Sequence, residues 1–249
     1  MDTRLPHDEV VPFGASALTK KQQVETMFDR IAFRYDFLNR FLSGGIDIYW
    51  RKQAIIELKQ VNPQLILDMA TGTGDMAIMM NKQIQPEKIV GIDLSNGMLN
   101  IGREKIAKLG LAEKISMKQG DSEHIDFETG TFDAVSVAFG VRNYENLQKG
   151  LAEMLRVLKP GGKLVILEFS KPGKPMKWFY DLYMERICPM FGQFFSKNGD
   201  AYRYLNNSVK AFPQGSAFTG IMQETGYEKV YSRRMTFGIC SIYCGYKKP

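Results

Sequence analysis

Leu65-Ile66-Leu67-Asp68-Met69-Ala70-Thr71-Gly72-Thr73-Gly74 passes from an apolar run into a glycine loop. Leu65 to Asp68 reads as a buried strand, Gly72 and Gly74 as a loop, and Met76 to Lys82 as the helix that follows. A loop so placed sets backbone N–H groups and a helix N-terminus against a ligand, and glycine lets that backbone come close. The order strand, loop, helix is half of a βαβ unit.

The same grammar continues downstream. Lys88 to Asp93 reads as a second strand, Asn96 to Leu109 as a helix, and Ile115 to Gln119 as a third strand. Phe132 to Phe139 is a fourth strand, and Leu147 to Leu158 a helix stopped by Pro160-Gly161-Gly162. Lys163 to Phe169 is a fifth strand. Strands alternating with helices at this pace give parallel units with right-handed crossovers, hence an α/β fold with a doubly wound, mostly parallel sheet.

Outside this core the pattern changes. Residues 1–59 read as an arm and helical cap. Thr19 is the expected N-cap, with Gln22 three residues on. The apolar positions continue through Tyr35 to Trp50, broken at Ser43-Gly44-Gly45, and a further helix is expected from Trp50 to Lys59. Residues 60–170 form the core, and 171–215 an aromatic-rich helical insertion carrying Trp178, Tyr183 and Phe194. Residues 216–249 complete the core with a helix from Ser216 to Thr225 and edge strands from Glu228 to Arg234 and Thr236 to Tyr246.

At 249 residues the chain is long enough for a substantial core, and 44% hydrophobic with 24% charged residues excludes a disordered polymer. Three cysteines and no apolar leader argue for a reducing compartment, so a cytoplasmic location is expected. The longest aliphatic run, Leu164 to Leu167, is far short of the ~20 residues that span a bilayer. The net charge of +6 is spread in pairs such as Lys20-Lys21, which argues against a nucleic-acid partner. It leaves room for peripheral attraction to the anionic inner face of a cell membrane. His7 and His124 stand apart, so no metal site is expected, and Cys240 and Cys244 read as core thiols.

Two cofactors compete for the glycine loop. Gly72-x-Gly74-x-x-Ala77 satisfies a relaxed dinucleotide fingerprint. Asp68 followed by small residues at Ala70, Gly72 and Gly74 is instead the S-adenosylmethionine pattern, with Thr73 inside the loop. Asp93, ending the second strand, suits the ribose hydroxyls of either. Asp121 and Ser122, after the third strand, tip the balance, because a carboxylate there can accept from an adenine amino group. The Tyr-x-x-x-Lys pair of many nicotinamide enzymes occurs only as Tyr243 with Lys247, at the wrong end of the chain.

Two blocks now carry a specific resemblance. Tyr35-Asp36-Phe37-Leu38-Asn39-Arg40-Phe41-Leu42-Ser43, followed by Trp50, is similar to one signature of the ubiquinone/menaquinone biosynthesis C-methyltransferases. Arg156-Val157-Leu158-Lys159-Pro160-Gly161-Gly162, running on to Glu168-Phe169-Ser170, resembles the other. Phe139-Gly140-Val141-Arg142-Asn143 and Tyr202-Arg203-Tyr204-Leu205 also match. Three positions depart from the family: Asp47 stands where His is common, Ala138 where Ser is, and Ala70-Thr71 where Gly-Gly is.

The resemblance implies a Rossmann-like, class I S-adenosylmethionine-dependent methyltransferase. Its acceptor would be a prenylated quinol, most like demethylnaphthoquinol in menaquinone biosynthesis, with a homodimer admitted. A ring carbon becomes nucleophilic when an adjacent hydroxyl loses its proton, so the substrate must be the reduced quinol. Arg142 and Asn143, after the fourth strand, are the expected catalytic pair with Tyr35, the arginine stabilising phenolate charge. Tyr35, Asn39, Arg142 and Tyr202 are the expected substrate contacts, and Ala138 lines the cofactor. The plainer alternatives are an Arg142 ion pair with Glu145 or Glu153, and Asp36 as a helix N-cap.

Overall fold

A computed structural model describes residues 5–14, 16–174, 178, 182 and 200–249. Its centre is a seven-stranded sheet: β1 (Leu65–Met69), β2 (Lys88–Asp93), β3 (Ile115–Gln119), β4 (Phe132–Ala138), β5 (Leu158–Phe169), β6 (Glu228–Met235) and β7 (Cys240–Tyr246). The order across the sheet is β3-β2-β1-β4-β5-β7-β6. The first five strands are parallel, and β7 runs antiparallel between β5 and β6. This is the doubly wound sheet that the alternation of elements implied.

The central strands β1, β4 and β5 alternate their apolar side chains between two cores. Ile66, Ala134 and Val165 pack with Ala54, Met80 and Leu99, which come from α2 (Ile46–Lys59), α3 (Asp75–Ile84) and α4 (Asn96–Lys108). Leu67, Val135 and Ile166 pack on the other face with Leu151, Met154 and Phe218, from α5 (Leu147–Val157) and α7 (Ser216–Thr225). α6 (Asp200–Ala211) contacts the short 3-10 turn Val141–Asn143 that follows β4.

The N-terminal cap differs from the sequence expectation in its joints. α1 (Lys20–Leu42) is one continuous helix, capped as expected by Thr19 and Gln22 in a capping box. Asp36 therefore lies inside a helix and is no N-cap. The chain breaks only at Ser43–Gly45, and α2 starts at Ile46, four residues before Trp50. Asp47, at the position where the family often has His, is buried and accepts from Arg40 Nη1 (3.1 Å) and Ser43 Oγ (2.9 Å).

Two further boundaries move. β5 begins at Leu158 rather than Lys163, because Leu158 already pairs with Phe132 before a shift in register. The last hairpin turns through Thr236 and Phe237, both at positive φ, so β7 starts at Cys240. Cys240 and Cys244 are buried free thiols. Most of the aromatic insertion expected over 171–215 lies outside the described residues, between 175 and 199. Among the described residues no helix is long and apolar enough to cross a membrane.

Candidate active site

The strand order reverses between β1 and β4, and a crevice opens at their carboxyl ends. Its floor is the loop after β1. Ala70, at φ 52°, and Phe139, at φ 61°, hold left-handed conformations that cost free energy in non-glycine residues and collect at working sites. Neighbouring strands fix both: Thr71 N–H donates to the Ile92 carbonyl (3.0 Å) and Phe139 N–H to that of Leu167 (2.7 Å). The two loops touch across Gly140, where an added Cβ would lie 2.5 Å from the Ala70 Cβ. Only glycine permits that approach.

Asp68 lies beneath this loop. Its carboxylate accepts from Thr71 Oγ1 (2.6 Å) and Ser136 Oγ (2.5 Å), tying the loop after β1 to β4. Burial pushes its pKa up to about 6. Asp93 lines the crevice itself. It accepts the Gly72 N–H (2.8 Å) and the Ser95 N–H (2.9 Å), and burial raises its pKa. A carboxylate has acceptor capacity beyond those two bonds.

α1 forms the roof. Asp29 accepts from Ser95 Oγ (2.6 Å) and the Gly97 N–H (2.9 Å). Asp36 accepts from Thr73 Oγ1 (2.5 Å) and Lys105 Nζ (2.8 Å), and Lys21 donates to Asp121 (2.5 Å). The helix is thus pinned to the loops after β1, β2 and β3. This explains why Thr73 and Asp121 do not line the crevice: their side chains hold the roof. Ser122 and Glu123 line it beside Asp121.

Of the other expected contacts, Tyr35, Ala70, Gly72, Ala138 and Asn143 line the crevice. Gly74 does not; it is the residue before α3, at φ 81°. Asn39 hydrogen-bonds the Tyr35 hydroxyl one turn away on α1. Burial raises the Tyr35 pKa, and the Arg142 charge acts against that rise. The side chain of Tyr202, on α6, lies outside what is described.

Arg142 is not on the surface. It is 5% exposed, and its Nη1 donates to Glu168 Oε1 (2.7 Å) and the Phe139 carbonyl (2.5 Å). Glu168 is fully buried and also accepts the Phe169 N–H (2.9 Å). The alternative pairing with Glu145 or Glu153 is corrected on this point: Glu168 holds the arginine, and Glu153 pairs with Arg156 (2.8 Å). Burial opposes the guanidinium charge, but Glu168, with Tyr35 and Tyr204 beside it, outweighs that and keeps the pKa above its ordinary value. Arg142 Nε and Asn143 Oδ1 are buried without a hydrogen-bond partner.

Sequence reasoning missed Glu168, Lys21, Asp29 and Lys105. Glu168 did leave a signal, as the one acid in the apolar run Leu164 to Phe169. The roof residues left none, because their partners are far away in sequence.

The groups present suit a cofactor with a ribose diol and a flat base. Asp93 can accept from the diol, Ala70 and Gly72 bring main chain to the crevice, and Ile92 and Met98 supply apolar walls. The comparisons agree. Residues 16–247 match the sequence profile of the ubiE/COQ5 methyltransferase family. A demethylmenaquinone methyltransferase of Bacteroides fragilis is 48% identical over 243 residues, 97% of this chain and 99% of the relative. A ubiquinone/menaquinone biosynthesis C-methyltransferase of Geobacter sulfurreducens is 46% identical over 92% of this chain and 91% of its own. In fold, a Haemonchus contortus phosphoethanolamine N-methyltransferase bound to S-adenosyl-L-methionine superposes with a TM-score of 0.66 at 17% identity, over 94% of this chain and 61% of that one. A Thermotoga maritima methyltransferase gives 0.61 at 17% identity, over 90% and 99%. With the signature blocks in place and the match nearly end to end, the chain belongs to the ubiE/COQ5 methyltransferase family and is an S-adenosylmethionine-dependent methyltransferase.

Proposed function

We propose that this enzyme methylates a ring carbon of a prenylated demethylnaphthoquinol, converting demethylmenaquinol to menaquinol. The observation that carries the reading is the likeness to the Bacteroides demethylmenaquinone methyltransferase over nearly the whole of both chains. When bound, S-adenosylmethionine supplies a methyl group on a sulfonium, whose sulfide is already a good leaving group.

The chain's own work is then holding, polarising and excluding water. Asp93, Ala70, Gly72, Ser122 and Ala138 hold the cofactor, with Asp68, Thr73, Gly74 and Asp121 fixing the loops around it. Tyr35 and Asn39 hold the quinol from the roof. Arg142 cannot be a proton acceptor, because its guanidinium stays charged and is anchored to Glu168. Its role is electrostatic: a fixed cation with an unpaired Nε–H favours the quinolate oxygen over the neutral hydroxyl. Asn143 Oδ1 is the matching acceptor. The hydroxyl proton leaves to water, and the ring carbon takes the methyl group as the methyl–sulfur electron pair stays on sulfur, leaving S-adenosylhomocysteine. The proton on that carbon then passes to water and the oxygen is reprotonated, so one proton is released for each menaquinol formed.

A prenyl tail places the substrate at a lipid surface, and α1 carries Phe33, Phe37 and Phe41 at four-residue spacing, all exposed. That stripe supports a peripheral position at the inner face of the cell membrane, which co-sedimentation with anionic vesicles tests. A homodimer is part of the same reading, and light scattering tests it. Acceptance of a ubiquinone-precursor benzoquinol is the second reading, favoured by the name of the Geobacter relative. Incubation with S-adenosylmethionine and either short-chain quinol separates the two. Ring-methylated naphthoquinol with equimolar S-adenosylhomocysteine is expected, and methylation of the benzoquinol alone overturns the first reading.

A further inference from the structure

One buried hydroxyl in this corner has no work to do in the free protein. Tyr204, on α6, is 3% exposed, and its Oη has no hydrogen-bond partner among the described residues. Buried hydroxyls are normally paired, and an unpaired one is destabilising. Its position gives the reason. α6 packs against the turn Val141–Asn143, and that turn carries two more unpaired atoms, Arg142 Nε and Asn143 Oδ1, with the unpaired Tyr144 Oη on the next residue. The Arg142 charge reaches the Tyr204 phenol, as does that of Glu168.

A donor, an acceptor and a group that is both are therefore left unsatisfied together, on two elements that touch. Three stranded polar atoms are no device for stability. Of the three residues Asn143 lines the crevice, so the set stands at its wall.

We propose that the Tyr204 hydroxyl is a substrate contact, donating to the quinol oxygen whose charge Arg142 favours. The assignment rests on the quinol reading above and gives a role to a residue of the matching block Tyr202–Leu205 that had none; Tyr202, two positions earlier, was the residue expected. Burial raises the pKa of the phenol, so it stays protonated and able to donate while the quinol ionises. A neutral donor beside a fixed cation stabilises an oxyanion without adding a second charge that would have to be buried.

The test is Tyr204→Phe, which removes one oxygen and leaves the ring packing in place. The full-length variant is compared with the parent in three measurements: thermal stability, S-adenosylmethionine affinity by calorimetry, and kcat/KM for a short-chain demethylnaphthoquinol. The expected result is a roughly 10- to 100-fold loss in kcat/KM for the quinol, the size of a hydrogen bond to a charged group. Cofactor affinity should not change. Thermal stability should hold or rise, since an unpaired buried hydroxyl has been removed. A merely structural hydroxyl gives the opposite pattern, with a lowered melting temperature and an unchanged kcat/KM for the folded enzyme, and that result overturns the assignment. An active parent and an equally active Tyr204→Phe also overturn it. A parent that methylates other acceptors but no quinol overturns the quinol reading itself, and the assignment with it.

Discussion

Glu168→Gln is the perturbation that presses hardest on the buried centre of the site. Glu168 has no exposed surface, Arg142 has 5%, and Nη1 meets Oε1 at 2.7 Å. The amide has nearly the same shape as the carboxylate, so packing is spared and only the charge is lost. That leaves a guanidinium uncompensated in the interior. Breaking a buried pair from one side costs about 3–5 kcal/mol. For a chain of 249 residues each kcal/mol moves Tm by about 2–4 °C, so Tm should fall by about 6–20 °C. Removing both charges, with Arg142→Met added, should recover most of that loss, because a neutral pair leaves no ion behind. Activity should not recover with it. Urea unfolding and kcat measured on all three variants make the double-mutant comparison. If Glu168→Gln unfolds within 1 kcal/mol of the parent, or if the double variant turns over normally, the reasoning about this pair is wrong.

Three other perturbations follow from the same geometry. Asp93→Ala removes the carboxylate at the end of β2 and should weaken S-adenosylmethionine binding by about 1.5–3 kcal/mol, about 10- to 150-fold in Kd by calorimetry; an unchanged Kd would take the ribose site elsewhere. Gly140→Ala drives a methyl group to 2.5 Å from Ala70, so overpacking of about 1–3 kcal/mol and weaker cofactor binding should appear together. Normal affinity in that variant would show that the contact between the two loops does not shape the crevice. The third concerns pH. The Asp68 pKa is raised from 3.8 to about 6, so between those values the folded protein holds a proton that the unfolded chain has released. Its contribution to stability is therefore present at low pH and lost as pH rises through that window, by about 3 kcal/mol in all. Asp68→Asn cannot titrate, and its stability relative to the parent should climb by that amount from pH 4 to pH 7; parallel pH profiles for the two proteins would contradict the burial of this charge.

The parts of the molecule legible in its sequence are those whose cause is local. A strand, a loop of small residues and a helix in succession place Ala70 and Gly72 against the crevice wherever the rest of the chain goes. Asp93 could be placed at the crevice because an acid ending β2 of a doubly wound sheet has one neighbourhood, the reversal of strand order beside β1. The roof was not legible. Lys21 with Asp121, and Asp36 with Thr73, join residues that only the docking of α1 brings together. Asp121 shows the cost of that gap: its position after β3 was read correctly, but its carboxylate accepts from Lys21 and the Glu123 N–H. Arg142 was chosen for its place after β4, yet its fixed orientation comes from Glu168, 26 residues on and in the neighbouring strand. The break at Ser43–Gly45 was legible, because Gly44 and Gly45 take left-handed conformations readily, whereas the turn at Thr236–Gly238 moved a boundary because Thr236 and Phe237 are held left-handed by tertiary packing and not by propensity.

The central claim is that this fold methylates a quinol by favouring its ionised form. Transfer of a labelled methyl group from S-adenosylmethionine to a short-chain demethylnaphthoquinol, run anaerobically beside the oxidised quinone, tests it most directly. Label should enter the reduced ring and not the quinone, which has no hydroxyl proton to lose. Equal labelling of both forms would contradict the quinolate mechanism, and labelling of neither, with cofactor bound, would contradict the substrate.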